Sequence, residues 1–327
     1  MATVLVTGAD GFVGRHLVST LTARGDAVVA LDLRFGSDDS ASTGVTRLEG
    51  SVLDAALLGQ AMSGVDAVIH AAAVADLHAP QGGHDRINRG GTEAVLAAAE
   101  AARARFLLVS SYTALVGRQT RAGETVDPRQ ELAPDDLLGT YPASKRRAER
   151  AVAASAARGI HALSVLPTAP VGEGDHRPTP PGRMILDLAR GATPALIDTR
   201  IDLVDVAALA KGIVAALDKG QPGARYVLAG ESLTLASLAE KIAALTGQKA
   251  PKARVPMAVA LAAARVEAGI AAITGRQPTA PLTGVRLAAR PVEFATERTE
   301  SDLGWQRPML DDALARSLGW YRAVGML

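Results

Sequence analysis

The opening of the chain limits the architectures available to it more than any other stretch. Thr3-Val4-Leu5-Val6 is a short apolar, largely β-branched run. Thr7-Gly8-Ala9-Asp10-Gly11-Phe12-Val13-Gly14 follows at once, and Arg15 to Leu21 falls into a helical pattern with Leu17, Val18 and Leu21 on one side. A strand, a glycine-rich turn and a helix in that order let the backbone approach a pyrophosphate closely and aim the helix N-terminus at its charge. Glycines also serve ordinary tight turns. A trio placed where a strand becomes a helix reads instead as a nucleotide grip built on Gly8, Gly11 and Gly14.

Downstream, strands and helices alternate. Ala27 to Leu31 reads as a second strand ending at Asp32. A carboxylate there accepts both hydroxyls of an adenosine ribose and selects NAD over the 2′-phosphorylated form. Arg34, two residues on, could pair with a 2′-phosphate, so NADP stays open; NAD is favoured because Asp32 repels that phosphate. Phe35 to Thr46 is a polar loop, and Arg47 to Val52 is a weaker third strand that sets Ser51 and Val52 beside the adenine. Asp54 starts a helix. Ala67 to His70 is a fourth strand, and Ala71, Ala72 and Ala73 leave room after it for a cofactor crossing the crevice. An alanine-rich helix over 94–104 leads to a fifth strand, Phe106 to Val109, which runs into Ser110-Ser111-Tyr112-Thr113. Tyr141 leads a helix to about Arg158, and a sixth strand, Ala162 to Leu166, closes at Pro167-Thr168. This alternation predicts the α/β class, a Rossmann-type doubly wound parallel sheet.

From Ala169 the composition changes. Pro170, Pro178, Pro180 and Pro181 make an irregular segment that is a poor candidate for sheet. A short helix (184–190), a strand-to-helix segment (203–217), a strand (225–228) and a helix (234–246) follow. The expected organisation is a dinucleotide-binding Rossmann domain over 1–168 and a small α+β lobe over 169–327 that mainly binds substrate, with 200–228 returning to the Rossmann sheet. The apolar helix Val255 to Thr274 reads as a core helix of that lobe rather than a membrane-surface element, because its few charges form no basic polar face.

With 35 basic and 34 acidic residues among 327, the chain carries no electrostatic footprint for nucleic acid. It has no cysteine, which excludes disulfides, thiolate nucleophiles and cysteine-ligated metals and fits a reducing, cytoplasmic setting. No signal-like segment and no uninterrupted apolar span is expected. His70, His78, His84, His161 and His176 share no metal-ligand spacing, so no metal site is expected, and they read as surface or loop residues. Asp175, His176, Arg177 and Arg183 read as solvated, with a substrate-facing role open.

Tyr141 and Lys145, at i and i+4, share one helix face. An ammonium beside a phenol favours the phenolate. Such a group can take a proton from an alcohol, or return one to a carbonyl oxygen, while hydride moves to or from a nicotinamide. A hydroxyl from another element would hold the substrate oxygen.

Thr7-Gly8-x-x-Gly11-Phe12-x-Gly14, Asn88-x-x-Gly91-Thr92, Ser110-Ser111 and Tyr141-x-x-Ser144-Lys145 together resemble the extended short-chain dehydrogenases/reductases, the NAD-dependent epimerase/dehydratase group. Segments 177–183, 223–231 and 235–247 are similar to the hopanoid-associated sugar epimerase branch, itself similar to the dihydroflavonol reductases. The resemblance implies Tyr141 as acid/base and Lys145 as its partner, also on the nicotinamide ribose. It implies Phe12 and Val13 at the pyrophosphate, Asn88 on the cofactor side, and Pro167 and Thr168 near the nicotinamide. It also implies a homodimer paired through the helices 88–103 and 141–158.

The family's third catalytic residue is a Ser or Thr five residues before a glycine, and counting back from Gly117 reaches Tyr112. Ser111 is favoured, with Thr113 the other hydroxyl in reach. No Asp-Glu follows either residue, against a dehydratase, and Pro167-Thr168 replaces the Phe-Asn of nucleotide-sugar epimerases. The expected activity is an NAD(P)-dependent interconversion of a secondary alcohol and a carbonyl in a small-molecule substrate. The alternatives are a sugar epimerase that keeps its cofactor and, because of Tyr112, a nucleotide-binding protein with a vestigial site.

Overall fold

The apolar runs become seven parallel strands: β1 (Thr3–Thr7), β2 (Ala27–Asp32), β3 (Val45–Glu49), β4 (Ala67–His70), β5 (Arg105–Val109), β6 (Ala162–Pro167) and β7 (Arg225–Leu228). The computed structural model describes residues 1–36, 43–77, 82–274, 276–277 and 280–327; His78 lies outside them. The strands stand side by side in the order β7-β6-β5-β4-β1-β2-β3. The chain winds outward both ways from β1 and β4, and the crevice at the carboxyl ends of those two strands is where such sheets take ligands.

Alternation along each strand sends side chains to opposite faces. Val4 and Val6 pack with Leu17 and Leu21 of the helix Phe12–Ala23 and with Leu209 and Ile213 of the helix Val206–Lys219. Leu5, Val68, Phe106 and Leu108 pack on the other side, against Val95 of the helix Gly90–Ala102 and Val152 of the helix Thr140–Ala157. Both faces are covered, which is why the strands read as nearly continuous apolar runs. β3 ends at Glu49 rather than Val52: Gly50, at φ +154°, leaves the strand and donates its N–H to Asp32 O at 2.8 Å.

Beyond β6 the chain builds a second core from Val171, Leu203 and Leu233 with Ile185, Leu238 and Leu314. Contrary to the reading of Ala169 onward as irregular, Ala169–Val171 is a strand, parallel to Arg200–Asp205, which pairs antiparallel with Glu231–Thr234. Pro170 is tolerated because this strand lies at the sheet edge, where a missing N–H breaks no ladder. A second correction concerns the apolar helix. It spans Met257–Thr274 and only its Ala264 is buried. The lobe's core is instead built on Pro180–Ala189, Leu235–Thr246 and Asp311–Ala323, which leaves this helix on the surface.

Two histidines read as surface residues are buried, His70 in β4 and His84 before the helix Gly90–Ala102. His70 Nδ1 is hydrogen-bonded to Thr7 Oγ1 at 2.6 Å, which joins β4 to β1 at the crevice. Burial, with the Lys145 charge second, holds its pKa down to about 3, against 6.5 for an unperturbed histidine. The unfolded chain therefore takes up a proton that the folded chain refuses. This contribution to stability is complete above pH 6.5 and is lost as pH falls toward 3. Replacing His70 with Asn, which keeps a polar partner for Thr7, should flatten the fall of Tm between about pH 7 and pH 5 relative to the parent protein, measured by calorimetry.

Candidate active site

The glycine loop fits where other residues cannot. Gly8 has φ +69°, and a Cβ on it would lie 2.7 Å from Ala72 N and Cα. A Cβ on Gly14 would lie 1.9 Å from Gly8 O. The helix Phe12–Ala23 starts from Gly11 with no side-chain cap and no acid in its first turn, so its N-terminal N–H groups stay available to an anion. Two neighbouring helices are instead capped by their own chain: Asp54 accepts from Ala56 and Leu57 N–H, and Asp205 from Ala207 N–H. At the end of β2 the Asp32 carboxylate is held by Asp10 N–H at 2.9 Å and by Leu33 N–H at 2.7 Å. A cradle that a Cβ would fill, an open helix N-terminus and a fixed carboxylate suit a dinucleotide.

Gly8, Gly11, Phe12, Val13, Gly14, Ala71, Ala73, Ser111, Thr113, Tyr141, Lys145, Pro167 and Thr168 are brought to one cleft of about 520 Å³. Asp32, exposed Arg34, Ser51 and buried Val52 lie at or just beyond the ends of β2 and β3, and Ala72 backs Gly8. Asn88, expected on the cofactor side, is not among the residues that line the cleft. It is buried in a single π turn, Asp85–Arg89. Its Oδ1 accepts from Val74 N–H at 2.7 Å, and its Nδ2 donates to Val74 O and Ser144 Oγ, both at 3.0 Å. It ties the chain leaving β4 to the helix that carries Tyr141.

Tyr141 lies in the first turn of that helix. Ser111 lines the cleft with it, and the Ser111 hydroxyl favours its phenolate. Thr113 Oγ1 donates to Ser111 Oγ at 3.0 Å, which joins the two candidate hydroxyls. Tyr112 takes up the extra residue in a 3₁₀ turn, Tyr112–Leu115, which Ser111 caps, and its ring stands edge-on to Phe294 at 5.7 Å. Lys145 Nζ donates to Val109 O at 2.9 Å. Burial pushes the Tyr141 phenol up, opposed by the Ser111 hydroxyl, and pulls Lys145 down to about 8, opposed by the charge of Glu149. The expected lowering of the phenol by Lys145 is therefore absent in the protein by itself, where burial dominates and the ammonium is bonded to a strand carbonyl.

Two residues around the site, Glu149 and Asp202, are missing from the sequence reading, and two others, His84 and Asp175, lie in surroundings it does not give. Glu149 is fully buried, accepts from Ser110 Oγ, and pairs with Arg146 at 3.2 Å and Arg225 at 2.7 Å. Its i, i+4 spacing from Lys145 is the one signal that points to it. His84 is held by Thr140 Oγ1 at 2.9 Å and Asp76 O at 3.0 Å, with its ring 5.7 Å from that of Tyr141. Asp202 lines the cleft with a side chain only 6% exposed, and burial raises its pKa. Nothing in the sequence marks it, because the three-stranded sheet that presents it is assembled from distant segments. Asp175, read as solvated, is buried and accepts from Thr179 N–H and from Tyr321 Oη. Arg177 and Arg183 are exposed and outside the cleft wall.

A dinucleotide cradle joined to a Tyr-Lys-Ser group defines an NAD-dependent short-chain enzyme. Residues 4–229 match the model of the NAD dependent epimerase/dehydratase family, and the chain belongs to that family. It is 32% identical to a protein named putative dihydroflavonol 4-reductase from Synechocystis, covering 98% of this chain and 94% of that one. It is 29% identical to sterol demethylase protein B from Methylococcus capsulatus, over 99% and 100%. The crystal structure of gox2253 superposes with a TM-score of 0.85 at 29% identity, covering all of both chains. The protein is an oxidoreductase of the short-chain type, and its cofactor is NAD.

The placement of Asp32 predicts tighter binding of NADH than of NADPH. Asp32→Ala should narrow the difference by about tenfold in a fluorescence titration, roughly 1.4 kcal/mol. Tighter binding of NADPH by the unaltered protein would show that Arg34 decides instead.

Proposed function

We propose that the enzyme interconverts a secondary alcohol and a ketone carried on a largely apolar skeleton, bound between the Rossmann domain (1–168) and the lobe formed mainly by 169–327. The observation that carries this reading is the wall facing Tyr141 and Ser111. Leu77, Tyr112, Met184, Leu287, Val292 and Phe294 make it up. Two arginines reach the same cleft, and both are engaged with backbone. Arg200 donates to Ser232 O at 3.0 Å, and Arg290 to Arg118 O at 3.2 Å and Arg286 O at 3.3 Å. This supports a substrate without a diphosphate, as does the absence of Phe-Asn after β6. The relative from Methylococcus is named for a sterol reaction, which agrees with an apolar substrate.

NAD supplies the hydride acceptor or donor. The chain's own groups handle the proton and the geometry. In oxidation the Tyr141 phenolate takes the hydroxyl proton as hydride leaves the carbinol carbon; in reduction the phenol returns a proton to the carbonyl oxygen. Ser111 holds that oxygen beside Tyr141, and Thr113 orients Ser111. With the cofactor bound, the buried Lys145 ammonium would help hold its ribose and stabilise the phenolate, and the Glu149 charge favours the protonated form of that lysine. Asp202 offers a buried carboxyl to a polar substituent at the far end of the substrate. The same reading gives a cytoplasmic homodimer paired through the helices Gly90–Ala102 and Thr140–Ala157, whose outer faces expose Ala97, Ala101, Ala153 and Ala154.

The test is a panel of steroid, isoprenoid and polycyclic ketones beside sugar nucleotides, followed by NADH absorbance. Steady turnover on the apolar set is expected. Cofactor that co-purifies with no net turnover would favour an epimerase instead. Tyr141→Phe should lower kcat by about 10³ while leaving NADH binding within a few fold. Ser111→Ala should cost more than Thr113→Val. Oxidation should quicken, and reduction slow, as pH rises through the phenol's ionisation.

A further inference from the structure

The helix Met257–Thr274 is the least explained element of the fold. It has 18 residues, a mean hydropathy of 1.6, and 6% of them buried. Val259, Ala262, Ala263, Val266, Ile270 and Ile273 recur at helical spacing on one side, and all are exposed. Val259 is 56% exposed, Val266 63%, Ile270 53% and Ile273 88%. A continuous apolar face about 21 Å long is not left in water without reason.

The helix cannot cross a bilayer in this fold. It follows the strand Ala253–Val255, which pairs with Ala195–Ile197 in the lobe, and its inner side packs on the helix Leu282–Ala288. It therefore lies along the surface with its outer face free to be covered.

The charge around it is uneven. The whole chain is nearly balanced, yet between Gly247 and Val292 it carries seven basic side chains and a single acid, Glu267. Lys252 and Arg254 just before the helix, Arg265 on its flank and Arg276 just after it are all exposed. Two copies of this face would bring like charges together, whereas an anionic lipid surface complements them. Basic groups near such a surface each contribute about 1 kcal/mol.

We propose that this face seats the enzyme on an anionic membrane, with the apolar stripe in the headgroup–acyl boundary and the basic residues on the phosphates. The helix beneath it supplies Gly284, Leu287 and Ala288 to the cleft wall, so docking places the cleft beside the lipid. The inference rests on the helix and its charge, not on the reaction proposed above.

Flotation of the full chain, with NAD present, on vesicles of phosphatidylcholine alone or with about one third phosphatidylglycerol tests it. Binding to the anionic vesicles, weakened by salt and much lower on phosphatidylcholine, is expected. The double variant Val266→Asp/Ile270→Asp should lower partitioning at least about tenfold with NADH binding and melting temperature kept. Lys252→Gln/Arg254→Gln should reduce binding to the anionic vesicles alone. Failure of the unaltered protein to float with anionic vesicles would overturn the proposal. So would light scattering in which the double variant splits an oligomer, since the face would then join copies of the chain.

Discussion

The closest approach in the molecule on which function depends is that of Gly14 to the carbonyl of Gly8, with Gly8 itself pressed against Ala72. These contacts let the first helix start directly over the end of β1 and let the chain leaving β4 pass behind the loop. A single methyl group at either glycine would separate the helix from the sheet. The crevice between β1 and β4 has its shape because three backbone segments meet there without side chains between them. The open helix N-terminus and the Asp32 carboxylate acquire their relation to one another from that contact.

Under the opposite side of the cleft lies a buried electrostatic set. Glu149 receives Ser110 from the end of β5, Arg146 from its own helix and Arg225 from β7. One carboxylate thereby fixes the Tyr141 helix against two strands of the sheet, while its charge opposes the loss of a proton from Lys145. Buried sets of this kind are costly to assemble and more costly to break, about 3–5 kcal/mol when one partner is removed. Asn88 performs the same service from the other end of the helix by binding Ser144 and Val74. The helix that carries Tyr141 is thus held from both ends by buried polar contacts.

The second lobe is built apart from these contacts. It has its own core and presents Asp202, Met184 and the segment around Leu287 to the cleft. Its surface helix Met257–Thr274 turns an apolar, basic-flanked face outward. The sheet and its glycine loop lie in the part of the chain that matches the family, whereas the lobe combines segments far apart in sequence.

The strand–glycine–helix opening, the alternation of apolar strands with helices, Asp32 and the Tyr141–Lys145 spacing were legible in the chain because they depend on local periodicity and backbone sterics. The position of Asn88 beneath the wall, the joining of Thr113 to Ser111 and the burial of His70, His84 and Asp175 were not, because they depend on which surfaces come together. The same holds for Pro170, acceptable in a strand only because that strand is an edge, and for the apolar helix, whose composition suits a core while the packing leaves it outside. The sequence by itself determined the sheet, its glycine loop and the spacing that sets Tyr141 and Lys145 on one helix face. Tertiary structure alone decided how those side chains are held, which apolar surfaces are covered and what the cleft can admit, since burial and long-range contact have no local signature.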